Sequence, residues 1–177
     1  SPALSRPDLL AAPVRTALHD RPEDAPAAVD EILVAPIDPA LADTAAFCEA
    51  YGVGLDASAN CVVVSGKREG EVRYAACVIL ATTRADVNGV VRRQLDVRKA
   101  SFAPVAEAVA LTGMEYGGIT PIGLPTSWPI LIDSRVAESA YVIIGSGVRH
   151  SKIVISGLAL AALPGAQVVP GLARAVD

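Results

Sequence analysis

The residues able to do chemistry are few and scattered. Ser127, Asp133 and His150 have the types of a hydrolytic triad, in which a base takes the proton of a nucleophilic hydroxyl. Ser127 lies in PTSWP rather than in a G-x-S-x-G elbow, and nothing in the spacing draws the three together. The stretch GVGLDA at residues 52–57 has the glycines of a dinucleotide loop, but it follows a helical run instead of a strand and reads as a helix stop. Cys48, Cys61 and Cys77 are 13 and 16 residues apart, fit no zinc pattern and read as reduced core thiols of a cytosolic protein. The two histidines, His19 and His150, are far apart, so no metal site is expected. Arg149 and Lys152 read most simply as a solvated strand end.

The stretch GGITPIG at residues 117–123 differs in kind. Two adjacent glycines permit a positive φ or close approach of backbone to another group. Pro121 then fixes the next turn. Bare N–H and C=O groups in such a loop could face a ligand, or the loop could simply turn over a sheet.

These residues need elements to hold them. An opening helix is expected over 8–20, with Pro13 tolerated only in its first turn. A short strand is expected over 31–37. A helix over 43–51 has Asp43 as N-cap and Gly52 as its stop. The β-branched run at 61–65, the charged turn GKREG and the run at 71–82 predict a hairpin. A helix is expected over 86–94, a short strand near 97–102, and a helix over 104–111 that opens on Pro104 and ends at Gly113. Residues 113–129 form a long Gly/Pro-rich loop, a length that usually marks function. Strands follow at 130–132, 140–144 and 152–155, with a turn or short helix at 133–139 and a last helix at 157–163. The class is α+β, or mixed α/β, with a sheet of about six to seven strands surrounded by helices.

Three stretches taken together carry a resemblance: TGMEYGGITPIG at 112–123, PILID at 129–133 and YVIIGSGVR at 141–149. The chain resembles the YbaK/prolyl-tRNA synthetase editing-domain family, and the element order agrees from the opening helix to Leu163. The resemblance implies a single editing-type domain over residues 1–177 that hydrolyses wrongly attached amino acids from tRNA. It implies that the loop from Gly117 through Gly118, Ile119 and Thr120 to Pro121 holds the aminoacyl end through backbone atoms, without metal or other cofactor. Gly145, Ser146 and Gly147 would join it in binding substrate. Backbone groups of Gly117 and Gly118, with Gly145 or Gly147, would donate to the oxyanion. Family members carry a lysine at the start of the strand that is 61–65 here; by that alignment Asn60 stands in its place, as a neutral amide in the catalytic set. Arg92, Arg93, Arg98 and Lys99, with Arg149 near the cleft, would face tRNA phosphates.

Composition bounds the rest. Apolar residues are 52% and charged residues 19% of 177, enough for a core and too apolar for disorder. Aromatics are 4%, so the core is built of Ala, Val, Ile and Leu. The net charge of −4 argues against a general DNA binder. It is uneven: residues 1–60 carry three Arg against ten Asp and Glu, while residues 61–177 carry 12 basic and nine acidic groups. No apolar run reaches the length of a membrane helix and no leader is evident, so a cytoplasmic protein is expected. The leading reading is a free-standing aminoacyl-tRNA deacylase acting on mischarged tRNA in trans. The alternative is a non-catalytic relative that binds an aminoacyl or nucleotide-like ligand, which Asn60 favours. The hairpin edge at 61–82 could pair with a second copy to make a homodimer.

Overall fold

The longest elements are the two arms of one hairpin, and the sequence shows why. CVVV and its flanks favour a pleated strand, and the return arm EVRYAACVIL is apolar enough to be covered on both faces. The computed structural model, which describes residues 1–176, pairs Ala59 with Leu80 through to Arg68 with Glu71. Glu69 (φ +51°) and Gly70 (φ +85°) make the two-residue turn; two positive φ angles match the twist of the arms.

In chain order the elements are α1 (Ala12–His19), β1 (Leu33–Pro36), α2 (Thr44–Tyr51), β2 (Ala59–Arg68), β3 (Glu71–Leu80) and β4 (Thr83–Ala85). There follow α3 (Arg92–Leu95), β5 (Ala100–Phe102), α4 (Val105–Thr112), β6 (Ile130–Asp133), α5 (Ser134–Ala137), β7 (Val142–Gly145), β8 (Ser151–Ile155), α6 (Gly157–Ala161), β9 (Ala166–Val169) and β10 (Ala173–Ala175). A five-stranded sheet has the order β5-β2-β3-β6-β9, and a three-stranded sheet the order β1-β8-β7. A bridge from Ser58 to Ile143 joins them, so seven strands run as β1-β8-β7-β2-β3-β6-β9. The mixed α+β class stands, and β4 pairs separately with β10.

β6 shows how the layers are made. Ile130 and Ile132 enter one core with Val14, Ile144 and Ile153, while Leu131 enters a second with Val64, Val91 and Leu172. Both faces of that strand are covered, which is why ILI lacks the polar alternation of a half-exposed strand.

Three local expectations differ from the structure. The opening helix starts at Ala12, not residue 8, and two 3-10 turns precede it. Pro13, lacking an N–H, is confined to the first turn and so sets the helix start. Residues Val87–Val91 form a π-type turn, with the Asp86 carboxylate accepting from the Gly89 N–H at 3.0 Å, before the short α3. Beyond Leu163 no element was expected, yet β9 and β10 add to two sheets. Asp133 explains part of this: one oxygen accepts from Arg135 N and caps α5, and the other accepts from Ala173 N and anchors β10.

Candidate active site

A cleft of about 670 Å³ opens where four segments meet: the entry to α2, the start of β2, the loop after α4, and the β7–β8 corner. Asp43 opens α2, its carboxylate accepting from the N–H groups of Ala45 (3.1 Å) and Ala46 (3.3 Å). The next residue, Thr44, donates its hydroxyl to Asn60 Oδ1 at 2.6 Å. Asn60 therefore lies on the cleft wall, in the same cavity as Gly117, Ile119 and Gly145. With its oxygen engaged by Thr44, its amide N–H groups are left for the cavity.

The Gly117–Pro121 loop is divided by the structure. Gly117 has φ +82° and is exposed to the cleft; a Cβ there would lie 2.5 Å from Arg149 Nη1. Gly118 is buried with its Cα turned to the β7–β8 corner, where a Cβ would meet the Val148 backbone at 2.6–2.9 Å. Its N–H donates to Glu115 O (2.9 Å), and Gly147 N–H donates to Gly118 O (2.7 Å). The sequence-based expectation that Gly118 and Gly147 are oxyanion donors is thus corrected: both N–H groups are engaged inside the protein. Among the described residues the N–H groups of Gly117 and Ile119 have no acceptor, and both residues line the cleft. Gly145 lies against the loop, with room for no side chain because the Gly118 carbonyl would be 2.5 Å from its Cβ.

Other candidate residues lie elsewhere. Thr120 and Ser146 are fully buried. The Ser146 hydroxyl sits 2.6 Å from that of Ser151 and braces the β7–β8 corner. Pro121 lines a separate, mainly apolar cavity of about 300 Å³ with Leu18, Ile122 and Leu163. Arg92 and Arg98 line a third concavity with Lys67 and Arg68, while Arg93 and Lys99 are exposed. Of the five basic residues singled out, Arg149 alone lines the cleft. Asp133 is engaged with backbone, and His150 Nε2 lies 3.2 Å from the Asp8 carbonyl, so no triad assembles with Ser127.

Arg149 and Lys152 are not a solvated strand end. Arg149 donates from Nη1 to Tyr116 O (3.0 Å) and from Nη2 to Pro39 O (3.1 Å), and its backbone N–H donates to Glu115 Oε2 (3.0 Å). Lys152 reaches from β8 toward α2. Its Nζ donates to Ala42 O (3.1 Å) and lies 5.4 Å from the Phe47 ring centroid. Burial pushes its pKa below the ordinary lysine value; Cys48 and Asp43 push it back up, and Arg149 lowers it. Sequence reasoning missed Lys152 because its partners lie 110 positions away in the chain.

Cys61 also lines the cleft. Burial, and then the neighbouring Cys77 thiol, push its pKa up; Cys77 is itself pushed up to about 12 by burial. Neither supplies a thiolate near neutral pH. Among the described residues no group of three or more His, Cys, Asp or Glu side chains could hold a metal, and no helix is long and apolar enough to cross a membrane.

Comparisons with known proteins give the following. The sequence model of the aminoacyl-tRNA editing domain matches residues 38–163. In fold the chain is similar to a crystal structure described as a candidate trans-editing enzyme for prolyl-tRNA synthetase. The TM-score is 0.73 at 22% identity, over 91% of this chain and 97% of that one. It is similar to a scaffold protein from work on epitope grafting by computational design, with TM-score 0.73, 22% identity, and 90% and 95% of the two chains covered. A hypothetical protein gives TM-score 0.67 at 22% identity, over 81% of this chain and 90% of that one. No curated protein sequence matches the chain significantly.

Proposed function

The chain belongs to the aminoacyl-tRNA editing domain family, and from that premise we propose that it is a free-standing deacylase that hydrolyses mischarged tRNA in trans. The observation that carries this reading is the pair of unengaged N–H groups, Gly117 and Ile119, in one cleft with Asn60. Water attacks the carbonyl carbon of the aminoacyl ester. The carbonyl oxygen becomes an oxyanion and receives hydrogen bonds from those two N–H groups. The C–O bond to the terminal ribose then breaks, and the ribose oxygen leaves as a hydroxyl. Asn60 holds the ester through its amide N–H groups, and the neighbouring ribose hydroxyl orients the water. With the Cys61 thiol held protonated, water rather than sulfur is the nucleophile.

Ala42, Ala45, Ala59 and Ala81 line the cleft and suit a small uncharged aminoacyl side chain. A second hydrolytic site of this kind supplies accuracy that a synthetic pocket cannot, since one methylene distinguishes substrates by only about 1–3 kcal/mol. The same reading sets the protein's work in the cytoplasm, where tRNA is charged. The test is hydrolysis of a panel of mischarged tRNAs, timed against spontaneous loss of the ester. Acceleration by about a hundredfold or more supports the reading. Tight binding of the aminoacyl end with no acceleration makes the chain a non-catalytic relative, with Asn60 as the residue to exchange next.

A further inference from the structure

Lys152 is held in a way that folding alone does not explain. The four ion pairs among the described residues are Arg6–Asp8, Arg68–Asp96, Arg73–Asp96 and Arg174–Asp86, and none involves this lysine. Its ammonium has one hydrogen bond, to a neutral carbonyl, and stands over an aromatic ring. An ammonium has three N–H donors, so two remain. Lys67 and Lys99 are exposed and lose little water; Lys152 is half-buried, and no carboxylate lies within ion-pair distance of it, Asp43 acting only from farther away. A methionine would fill the same space without that desolvation cost. Arg149, the other cation on the cleft wall, has its guanidinium engaged by two carbonyls. Arg149 also keeps N–H groups unused, but two carbonyls hold its guanidinium in place; Lys152 is the ammonium of the cavity, with two donors to offer.

We propose that Lys152 is a catalytic residue of the cleft, donating from Nζ to an anionic oxygen of the aminoacylated nucleotide. This rests on the deacylase reading and names the group that recognises the substrate's negative charge. Two oxygens have the required chemistry: a phosphate oxygen of the terminal nucleotide and the oxyanion formed at the ester. Lys152 keeps its proton throughout. The attacking water supplies the proton that the leaving ribose oxygen takes up. The groups that face its ammonium are Asp43 and Cys48 from α2 and Arg149 from the β7–β8 corner.

The experiment compares wild type with Lys152→Met, which keeps most of the unbranched side chain without the charge, and Lys152→Arg, which keeps the charge. Three readouts are used: AMP binding by calorimetry, hydrolysis of mischarged tRNA, and hydrolysis of a 3′-aminoacyl-adenosine that lacks phosphate. If the oxygen is a phosphate's, Lys152→Met weakens AMP binding about tenfold and raises KM for the tRNA, and leaves the phosphate-free substrate unchanged. If it is the oxyanion, kcat falls about a hundredfold on both substrates and AMP binding holds. In either case Lys152→Arg recovers part of the loss. Equal behaviour of Lys152→Met and wild type in all three overturns the proposal while leaving the deacylase reading standing. Wild type that binds AMP through Lys152 but hydrolyses no ester does the reverse. Should Lys152→Met not fold, the wild-type pH profile decides. The Lys152-dependent readout, whichever it is, must fall as pH rises through a pKa below that of an ordinary lysine, because the charged form is lost there. A profile flat to the ordinary lysine value overturns the assignment.

Discussion

Beside the start of β2, the Lys152 ammonium, carried by β8, stands at the cleft with a carbonyl and a ring as its close partners and no ion pair. At the far end of β2, Lys67 and Arg68 line a concavity with Arg92 and Arg98, and the Asp96 carboxylate lies 2.6 Å from Arg68 and 3.6 Å from Arg73. The seven steps from Asn60 to Lys67 span about 23 Å at the rise of a strand. The charge at the far end is plentiful, exposed and partly neutralised, so salt screens it and each pair is worth little. At the cleft, Lys152 is half-buried and without an ion-pair partner, and Arg149 beside it is held by two carbonyls. One end suits attraction of a polyanion at a distance, and the other suits contact with one oxygen.

Removing the cleft without touching the far end should produce the largest effect. Gly118→Val puts a branched side chain into the Val148 backbone, which cannot rotate away as a side chain would. We expect about 3 kcal/mol of destabilisation, read as a fall in Tm, together with loss of AMP binding. An unchanged Tm would show that the loop and the β7–β8 corner are not packed as described. Asn60→Ala is milder. It removes the acceptor of the Thr44 hydroxyl and an amide N–H pair on a residue that lines the cavity. The expected cost is ~1 kcal/mol in denaturant unfolding, with deacylation down about tenfold. A rate equal to wild type would remove Asn60 from the site. Smallest in stability is the double exchange Arg92→Glu with Arg93→Glu at the far end. It should leave Tm nearly unchanged while flattening the salt dependence of tRNA binding, by about one log–log unit for each phosphate that is no longer neutralised. An unchanged slope would confine RNA binding to the cleft end and end the division of labour between the two.

The sequence was most legible where a local rule and the fold agreed. Asp43 and Gly52 bound α2 because one caps N–H groups and the other supplies a left-handed residue, both within a single helix. The β2–β3 hairpin and the stop of α4 at Gly113 were legible for the same reason. What escaped was set by partners remote in the chain. GGITPIG marked the loop, but nothing in it says that the Gly118 N–H is engaged by Glu115 while those of Gly117 and Ile119 are not. The neutral Asn60 was legible as a change of charge. The ammonium that shares its cavity was not, because a lysine opening a strand reads as solvated until α2 covers it. β9 and β10 escaped because AQVV and ARA are too short to show a period.

Arg149 ties the carbonyl of Pro39, just ahead of α2, to that of Tyr116 in the loop after α4. Its guanidinium is planar and rigid, so the tie sets the spacing of those two segments while both bonds hold. A fixed gauge selects by size before substrate touches any other group. Binding then carries little cost of ordering the walls, and discrimination does not wait on a closing motion.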